Sequence, residues 1–317
     1  MRFSTTTEQK NDLDLIILKD ESSKTSVAIL PEYGSALHEF CVIINDKPFN
    51  IIDNYPNRAE IEAGLALSFK SSKLSPFTCR INNGKYFFEG KELEFENKFI
   101  DGSAIHGLLY NKKFLILDKS ANDNEASATM KYDYNKDDAG YPFHYSCTIK
   151  YILQTGSSLR IDTTITNNSN KIIPMADGWH PYFRLGETVN NWLLQFASDS
   201  IIEFDENLIP TEKLSAYHKF NSPRLMGETQ FDNCFFLKKN TKEAVCEILN
   251  PHNKLKISFF TNESYPYLQI YTPPHRKSIA VENLSAAPDS FNNNMGLLLL
   301  EPGNSQTFTV VYQLSLG

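Results

Sequence analysis

The sequence predicts an all-β protein, a large antiparallel β-sandwich with few short helices. Its 317 residues include 22 Phe and 15 Tyr, an aromatic content that favours strands over helices. Short runs of Ile, Val, Phe, Tyr and Thr alternate with clusters of Asn, Asp, Gly and Pro, which is the pattern of strands joined by turns. The chain has no internal repeat and no linker rich in Pro or Ser, so we expect residues 1–317 to form a single domain.

Individual strands are expected where apolar and β-branched residues run together or alternate with polar ones. These segments are SVAIL (26–30), FCVII (40–44), PFNII (48–52), KYFFEGKELEFEN (85–97), LRIDTTITNNSN (159–170), LKISFFTN (255–262) and SIAVENL (278–284). Asn83-Gly84 is expected to form a tight hairpin turn, because a primed turn needs positive φ at both central positions. A second turn is expected inside YFFEGKELEF, and residues 57–69, NRAEIEAGLALSF, are expected to form a short helix.

Charge and cysteine usage narrow the class of protein. The net charge is −7, and a surface that binds nucleic acid needs clustered Lys and Arg, so we expect no nucleic-acid partner. We also expect no membrane partner: there is no basic amphipathic helix, the run MGLLLL is too short to cross a bilayer, and no apolar run of a secretory signal follows the N-terminal Arg. The five cysteines are dispersed without a C-x-x-C pair, which is typical of reduced thiols. We therefore expect a cytoplasmic monomer or homodimer that acts on a small molecule.

Motifs that bind the common cofactors are missing from the sequence. It contains neither of the usual glycine-rich phosphate loops and no G-x-S-x-G nucleophile elbow. The seven histidines never fall at the spacing of a metal motif such as H-E-x-x-H, so a metal site assembled from distant residues is the alternative left open. We expect no cofactor and no metal, and acid–base chemistry performed by His and carboxylate side chains.

Four short motifs contain the candidate functional residues. They are Arg80 in SPFTCRINNG, His106 in SAIHGLLYN, His180 in ADGWHPYFRLG and Glu282 in SIAVENLSAAPDSFN.

His180 and Glu282 are the strongest candidates for chemistry. Pro181 disfavours a helical conformation at His180 and holds it extended. By strand alternation Glu282 shares a face with Ser278 and Ala280, whose small side chains leave room for a ligand. A carboxylate in an otherwise apolar run is costly to bury unless it has a partner or a function. A core histidine with its nitrogens satisfied by the backbone is the alternative for His180.

Arg80 and His106 are candidates for binding. Arg80 precedes the expected hairpin, where an exposed charge is the alternative. By strand alternation His106 shares a face with Ala104 and Leu108, and Gly107 allows another backbone or a ligand to come close. A histidine buried in the core is the alternative for this position.

Taken in order, these motifs resemble the aldose 1-epimerase (mutarotase) family, and the resemblance runs through most of the chain. It is clearest in PFTCRINNGKYFFEGKELEF, AIHGLLYNKKF, GWHPYFRLG, FDNCF and ENLSAAPDSFN, and the closing LEPG with its alternating residues resembles the family's C-terminal strand pair. The resemblance implies a galactose mutarotase-like supersandwich and a cofactor-independent isomerase that interconverts the anomers of a free aldose.

The resemblance also implies a role for each matching residue. Glu282 matches the family's proton-accepting Glu, and His180 matches its proton-donating His in the motif H-x-Y-F. His106 and Arg80 match residues that bind the sugar. Asp232 of FDNCFF resembles an Asp that binds sugar hydroxyls.

The chain departs from the family pattern in two places. The lead-in to the histidine is DGWH rather than a Thr- or Asn-rich stretch, and Asn283 follows the glutamate where Thr or Pro is expected. Trp179 is therefore expected to form an apolar wall beside His180 and to bind the substrate, with an effect on which sugar is accepted.

Two other functions stay open at this stage. A hexose-6-phosphate 1-epimerase would use the same pair together with cations, for which Arg58, Lys70, Lys73, Arg80 and Arg184 are candidates. A non-catalytic carbohydrate-binding sandwich would need neither His180 nor Glu282. A glycosidase is disfavoured, because no second carboxylate can be paired with Glu282 from the sequence and Glu301 is expected to be structural. Since no two cations can be placed together, a neutral aldose is the expected substrate.

Overall fold

The computed structural model describes residues 1–238 and 243–316, and nearly all of its regular structure is strand. In chain order the first strands are β1 Phe3–Lys10, β2 Leu13–Asp20, β3 Thr25–Leu30, β4 Ala36–Ile44, β5 Lys47–Asn50, β6 Ser72–Leu74, β7 Arg80–Ile81, β8 Lys85–Phe88, β9 Lys91–Glu94, β10 Ala104–Ile105, β11 Leu115–Ala121, β12 Glu125–Asn135, β13 His144–Gln154 and β14 Ser158–Asn167. The later strands are β15 Ile173–Met175, β16 Gly178–His180, β17 Tyr182–Phe183, β18 Leu193–Phe196, β19 Ser198–Phe204, β20 Pro210–Ala216, β21 Arg224–Leu225, β22 Asp232–Leu237, β23 Cys246–Leu249, β24 Leu255–Thr261, β25 Tyr267–Tyr271, β26 Ile279–Leu284, β27 Leu298–Leu300 and β28 Ser305–Leu316. The helices are α1 Arg58–Ser68 and α2 Ser290–Asn293, with 3₁₀ turns at Asn82–Gly84 and Val189–Asn191.

The strands form antiparallel sheets, which confirms the predicted all-β fold. A five-stranded meander runs β1-β2-β3-β4-β5. A nine-stranded sheet has the order β11-β12-β13-β14-β28-β24-β23-β18-β21, and an eight-stranded sheet has the order β20-β19-β22-β25-β26-β16-β6, with β17 also paired to β26. One apolar cluster includes buried residues of all three sheets, such as Val27, Ile161 and Val281, so the core lies between the sheets.

Helix α1 forms where the sequence predicts it. Asn57 caps its first turn by accepting the backbone N–H of Glu60 at 3.0 Å. Ile61 and Leu65, one turn apart, are buried against the five-stranded sheet. The helix ends at Phe69, which adopts a left-handed φ of 49° and turns the chain toward β6. No helix in the described ranges is long and apolar enough to span a membrane.

The expected hairpin at Asn83-Gly84 is wrong. Both residues have positive φ, 54° and 66°, as the turn requires. The strand before them nevertheless pairs with β10, whereas β8 pairs with β9 across the turn at Glu89-Gly90. The dipeptide thus specifies local backbone angles, while the strand partner is decided by contacts distant in sequence. The second predicted turn is confirmed.

Candidate active site

His180 and Glu282 lie opposite each other on neighbouring strands of the eight-stranded sheet. Gly178 of β16 pairs with Leu284 of β26. Because the strands are antiparallel, His180, two residues later on β16, faces Glu282, two residues earlier on β26. His180 Nε2 lies 3.3 Å from Glu282 Oε1, and both side chains are buried. The register therefore brings together an imidazole and a carboxylate that are about a hundred residues apart in the chain.

Pro181 holds His180 in its extended conformation at the end of β16. The pair β16–β26 is interrupted there, because proline has no N–H to donate to the ladder. The carbonyl of Pro181 still accepts the N–H of Val281 at 3.3 Å, and the carbonyl of His180 accepts the N–H of Ser71 at 2.9 Å. Strand β17 then resumes the pairing at Tyr182. The histidine backbone is thus hydrogen-bonded on one side while its ring faces the carboxylate on the other.

The next two strands add an amide and a second carboxylate to the same face. Gln269 of β25 pairs directly with Glu282. Asp232 of β22 pairs with Tyr271, and Gln269 Nε2 donates to Asp232 Oδ1 at 3.0 Å. Asp232, which the family resemblance singles out, lines the cavity, and its binding of sugar hydroxyls stays a prediction. Gln269 was missed, because YLQIY is an ordinary strand pattern in which no motif marks the amide.

His106 reaches the site from a loop and not from a strand. His106 and Gly107 have positive φ, 58° and 76°, so the strand alternation assumed for this segment is wrong. A Cβ at Gly107 would lie 2.4 Å from the carbonyl oxygen of Ser75, and the close approach expected of this glycine is therefore confirmed. The His106 N–H donates to the carbonyl of Cys79 at 2.8 Å. Its ring packs edge-on against His180, with centroids 4.7 Å apart.

Arg80 enters the site from β7. It pairs with Ile105 of β10, and His106 directly follows that strand, so the two candidate binding residues lie close together at one end of this small sheet. Its guanidinium Nη2 lies 3.5 Å from Asp101 Oδ2, and its side chain is 17% exposed. The cation is thus partly buried and still has donors that can reach a ligand.

Five of the six predicted site residues line one cavity of about 450 Å³, namely Arg80, His106, His180, Asp232 and Glu282. This volume falls within the range of roughly 300–1,000 Å³ that is usual for small-molecule sites. The walls are mainly apolar and aromatic, formed by Leu67, Phe69, Phe99, Phe204, Leu208 and Tyr271 among others. Such walls with a few convergent polar groups suit a small ligand that has both apolar and hydroxylated faces.

Trp179 is not among the described residues that line this cavity. Successive side chains of a strand point to opposite faces, so Trp179 points away from His180 into the core. Its ring lies 6.1 Å from the ring of Tyr151 and 4.5 Å from Lys73 Nζ. The wall expected of Trp179 is therefore supplied by Tyr182, whose ring stacks on His180 with centroids 5.1 Å apart.

Burial sets the protonation of the site. It raises the pKa of Glu282 well above the ordinary range, and the nearby charge of Asp232 raises it further. Burial also lowers the pKa of His180 to about 4. The pKa of His106 is lowered well below its usual value by burial, by His180 and by Arg80. The pair therefore favours one shared proton in its neutral form, with a carboxylic acid and a neutral imidazole.

Several buried polar atoms at the site have no hydrogen-bond partner within the described part of the chain. They are Glu282 Oε2, Gln269 Oε1, His106 Nδ1 and His180 Nδ1. Buried polar atoms are normally hydrogen-bonded, so this concentration at one cavity is the pattern of a site whose partners come from a ligand.

His106, His180 and Glu282 each offer one ligand atom within 4.8 Å of the others, so their composition and spacing can accommodate a metal ion. Histidines that bind metals usually donate their second ring N–H to a carboxylate or carbonyl. In the described residues the Nδ1 atoms of both histidines lack such a partner. The three groups thus have the composition of a metal site but lack, among the residues that the structure describes, the protein partners that usually orient metal-binding histidines.

Comparison with known proteins agrees with this architecture. The family model of aldose 1-epimerase matches residues 14–313. The uncharacterized protein YihR of Escherichia coli K12 is 27% identical over 249 residues, which are 75% of this chain and 77% of that protein. Among solved structures, a galactose mutarotase-like protein from Clostridium acetobutylicum is similar with a TM-score of 0.87 and 17% identity, covering 100% of this chain and 99% of the other. Galactose 1-epimerase from Lactobacillus acidophilus NCFM is similar with a TM-score of 0.81 and 18% identity, covering 100% and 99%. Because the family model spans nearly the whole sequence, the chain belongs to the aldose 1-epimerase family.

Proposed function

We propose that the chain is an aldose 1-epimerase that interconverts the α and β anomers of a free aldose without a cofactor. The observation that supports this most directly is the buried pair of His180 and Glu282, 3.3 Å apart in the cavity. Mutarotation needs one acid and one base at adjacent oxygens of the sugar, and this pair supplies both.

The proposed reaction moves one proton through the sugar. Glu282 accepts the proton of the anomeric hydroxyl while the bond between C1 and the ring oxygen breaks, and imidazolium His180 protonates the ring oxygen. Rotation about the C1–C2 bond presents the other face of the aldehyde, and ring closure returns both protons. The step starts from the tautomer in which the shared proton of the pair lies on His180. Ring opening returns the pair to the neutral form that burial favours, so the site stabilises the form that accompanies the open chain.

The other side chains of the face orient the sugar. Arg80 and His106 offer nitrogens beside the pair, and Asp232 and Gln269 offer oxygens and an amide on the adjoining strands. Groups that hold the sugar in one orientation lower the entropy cost of reaching the transition state. Trp179, which faces the core, takes no part in this binding.

A hexose 6-phosphate is the less favoured substrate on this fold. Of the five cations considered, Lys70 and Arg80 line the cavity. Lys70 Nζ lies 2.8 Å from Asp53 Oδ1, and Arg80 lies 3.5 Å from Asp101. A phosphate dianion would have to compete with these carboxylates and would also lie near Asp232 in the cavity. A neutral aldose meets neither obstacle.

Polarimetry of freshly dissolved α-glucose and α-galactose tests the proposal. We expect the protein to accelerate mutarotation, and Glu282→Gln to lower the rate by roughly 10²–10⁴-fold because the amide keeps the shape and removes the base. Glu301→Gln, a change at an exposed residue that does not line the cavity, is the control and should retain the full rate.

Equilibrium binding separates catalysis from simple sugar recognition. We expect Glu282→Gln to bind the aldose while failing to epimerise it. A wild-type protein that binds sugars and leaves their mutarotation rate unchanged would instead indicate a non-catalytic carbohydrate-binding protein.

A further inference from the structure

A fully buried ion pair lies behind the strand that carries His180. Lys73 and Asp177 are both 0% exposed, and Lys73 Nζ lies 2.7 Å from the Asp177 carboxylate. Lys73 also donates to the carbonyl of Gly178 at 3.0 Å, and the hydroxyl of Tyr265 donates to Asp177 Oδ1 at 2.6 Å. We name Lys73, Asp177 and Tyr265 the buried triad.

The stability of the fold does not account for such a pair. Taking two charges out of water costs about as much as their attraction returns, and apolar side chains of similar volume often stabilise a core equally well or better. What a hydrogen-bonded pair offers beyond an apolar cluster is direction, since its distances and angles are fixed. The buried triad is therefore expected to hold the segments that it joins in a fixed arrangement.

The contacts of the buried triad fall at one end of three adjacent strands. Asp177 directly precedes β16 and lies three residues before His180. Its N–H donates to Ser285 Oγ at 2.8 Å, and its carbonyl accepts the Ser285 N–H at 2.9 Å. Ser285 directly follows β26 and lies three residues after Glu282. Asp177 thus connects the two strands of the catalytic pair at equal distances from the paired residues.

Tyr265 extends the connection to the third strand. It precedes β25, which carries Gln269 opposite Glu282. Lys73 adds the fourth, because it lies on β6, which pairs with β16 from Ser72 to Leu74. All four segments are therefore joined behind the sheet, on the side opposite the cavity.

We propose that the buried triad is a positioning device that fixes the register and separation of His180 and Glu282, and this inference rests on the proposed function of that pair. Lys73, Asp177 and Tyr265 do not touch the sugar. They act through the strands, so their loss changes the geometry of the pair while the walls of the cavity remain. A misplacement of about 1 Å in a reacting group can lower turnover by on the order of 10²-fold.

Two variants test the proposal. Tyr265→Phe removes one hydroxyl and keeps the ring. The double variant Lys73→Met, Asp177→Leu removes both charges together, so that neither is left buried alone. The control is Tyr141→Phe, which removes another buried hydroxyl that donates to the carbonyl of Pro174 at 2.7 Å, outside the cavity and the buried triad.

Turnover, KM and the thermal unfolding midpoint are measured for each protein. We expect kcat to fall by roughly ten- to a hundredfold in Tyr265→Phe and in the double variant, with little change in KM. Tyr141→Phe should lower the unfolding midpoint as much as Tyr265→Phe and keep the wild-type kcat. Equal kcat in wild type, Tyr265→Phe and the double variant would overturn the proposal, and so would an equal loss of kcat in Tyr141→Phe.

An NMR measurement on histidine-labelled protein reads the geometry without using activity. We expect the imidazole signals of His180 to change in Tyr265→Phe and the double variant, while the imidazole signals of His144, on a strand of the nine-stranded sheet, stay as in the wild type. Unchanged His180 signals in both variants would overturn the proposal even if no aldose proves to be a substrate. A wild type without mutarotase activity would contradict the proposed function alone, and the His180 signals would still decide the role of the buried triad.

Discussion

His180 and His106 touch each other edge-on, yet the proposed mechanism gives them different tasks. In that proposal His180 transfers the proton, whereas His106 only orients the sugar. We expect His180→Asn to lower kcat by roughly 10²–10⁴-fold with a smaller effect on binding. We expect His106→Asn and Arg80→Ala to impair both binding and turnover. Steady-state polarimetry measures these effects, and unchanged kcat with poor folding of His180→Asn would instead favour a purely structural core histidine.

The shared proton of the pair predicts an unusual pH dependence. The pair is active while it holds one proton. Burial lowers the pKa of His180 to about 4 and raises that of Glu282, so acidification adds a second proton only near pH 4. We therefore expect kcat/KM to stay level through about pH 6.5, where an ordinary imidazole titrates, and to fall as the pH approaches 4.

The pH profile is measured by polarimetry, with circular dichroism at each pH as the control for folding. That control is needed because His106 is buried and its pKa is lowered, so below about pH 6.5 the unfolded state binds more protons and stability decreases. The pair of His180 and Glu282 holds one proton when folded and adds to this loss only below about pH 4.3, where the unfolded pair holds two. A loss of activity centred near pH 6.5 in a protein that is still folded would contradict the shared-proton mechanism.

At the scale of elements, the loop of His106 depends on a single glycine. Gly107 combines a φ of 76° with a Cβ position 2.4 Å from the carbonyl oxygen of Ser75. Gly90, in the β8–β9 turn, has a φ of 79° and no atom within 4 Å of its Cβ position. Both alanine variants carry the strain of positive φ, and only Gly107→Ala adds the clash.

We expect Gly107→Ala to lose on the order of 1–3 kcal/mol more stability than Gly90→Ala, and to impair mutarotation because His106 is displaced. Denaturant unfolding and polarimetry of the two variants give the comparison. Equal losses of stability would show that the close approach of the Ser75 carbonyl is unimportant.

The length of an element determined how well the sequence predicted the site. In the six-residue strand β26, Ile279 and Val281 lie in the apolar core while Glu282 lines the cavity, as strand alternation predicts. β10 has only two residues, so alternation could not be extended to His106. Trp179 and His180 are successive residues of β16, so strand alternation puts them on opposite sides of the sheet. Their proximity in the chain alone suggests instead that both lie beside the substrate. Gln269 and the buried triad depend on pairing between distant segments, which no local pattern encodes.

At the scale of the whole molecule, the distribution of charge favours a neutral sugar over a phosphorylated one. The net charge is −7, and the cations that line the cavity are already paired with carboxylates. We expect glucose 6-phosphate to inhibit mutarotation of glucose or galactose only weakly, with little dependence on salt. Tight inhibition that weakens steeply as salt is added would reveal a phosphate site and favour the sugar phosphate instead.

The cavity is lined by a sheet and by side chains from a helix and loops, and these two parts differ in how well they tolerate substitution. Its floor is formed by the eight-stranded sheet, whose register brings His180 and Glu282 together. Its outer wall includes Leu67 near the end of α1 and Phe99 and Leu208 in connecting loops, which we call the rim. Side chains on the rim can be exchanged without shifting β16 against β26, so libraries randomised at these positions should yield catalysts for new sugars while inheriting the chemistry. Divergence of substrate range in nature would follow the same route, through the loops first.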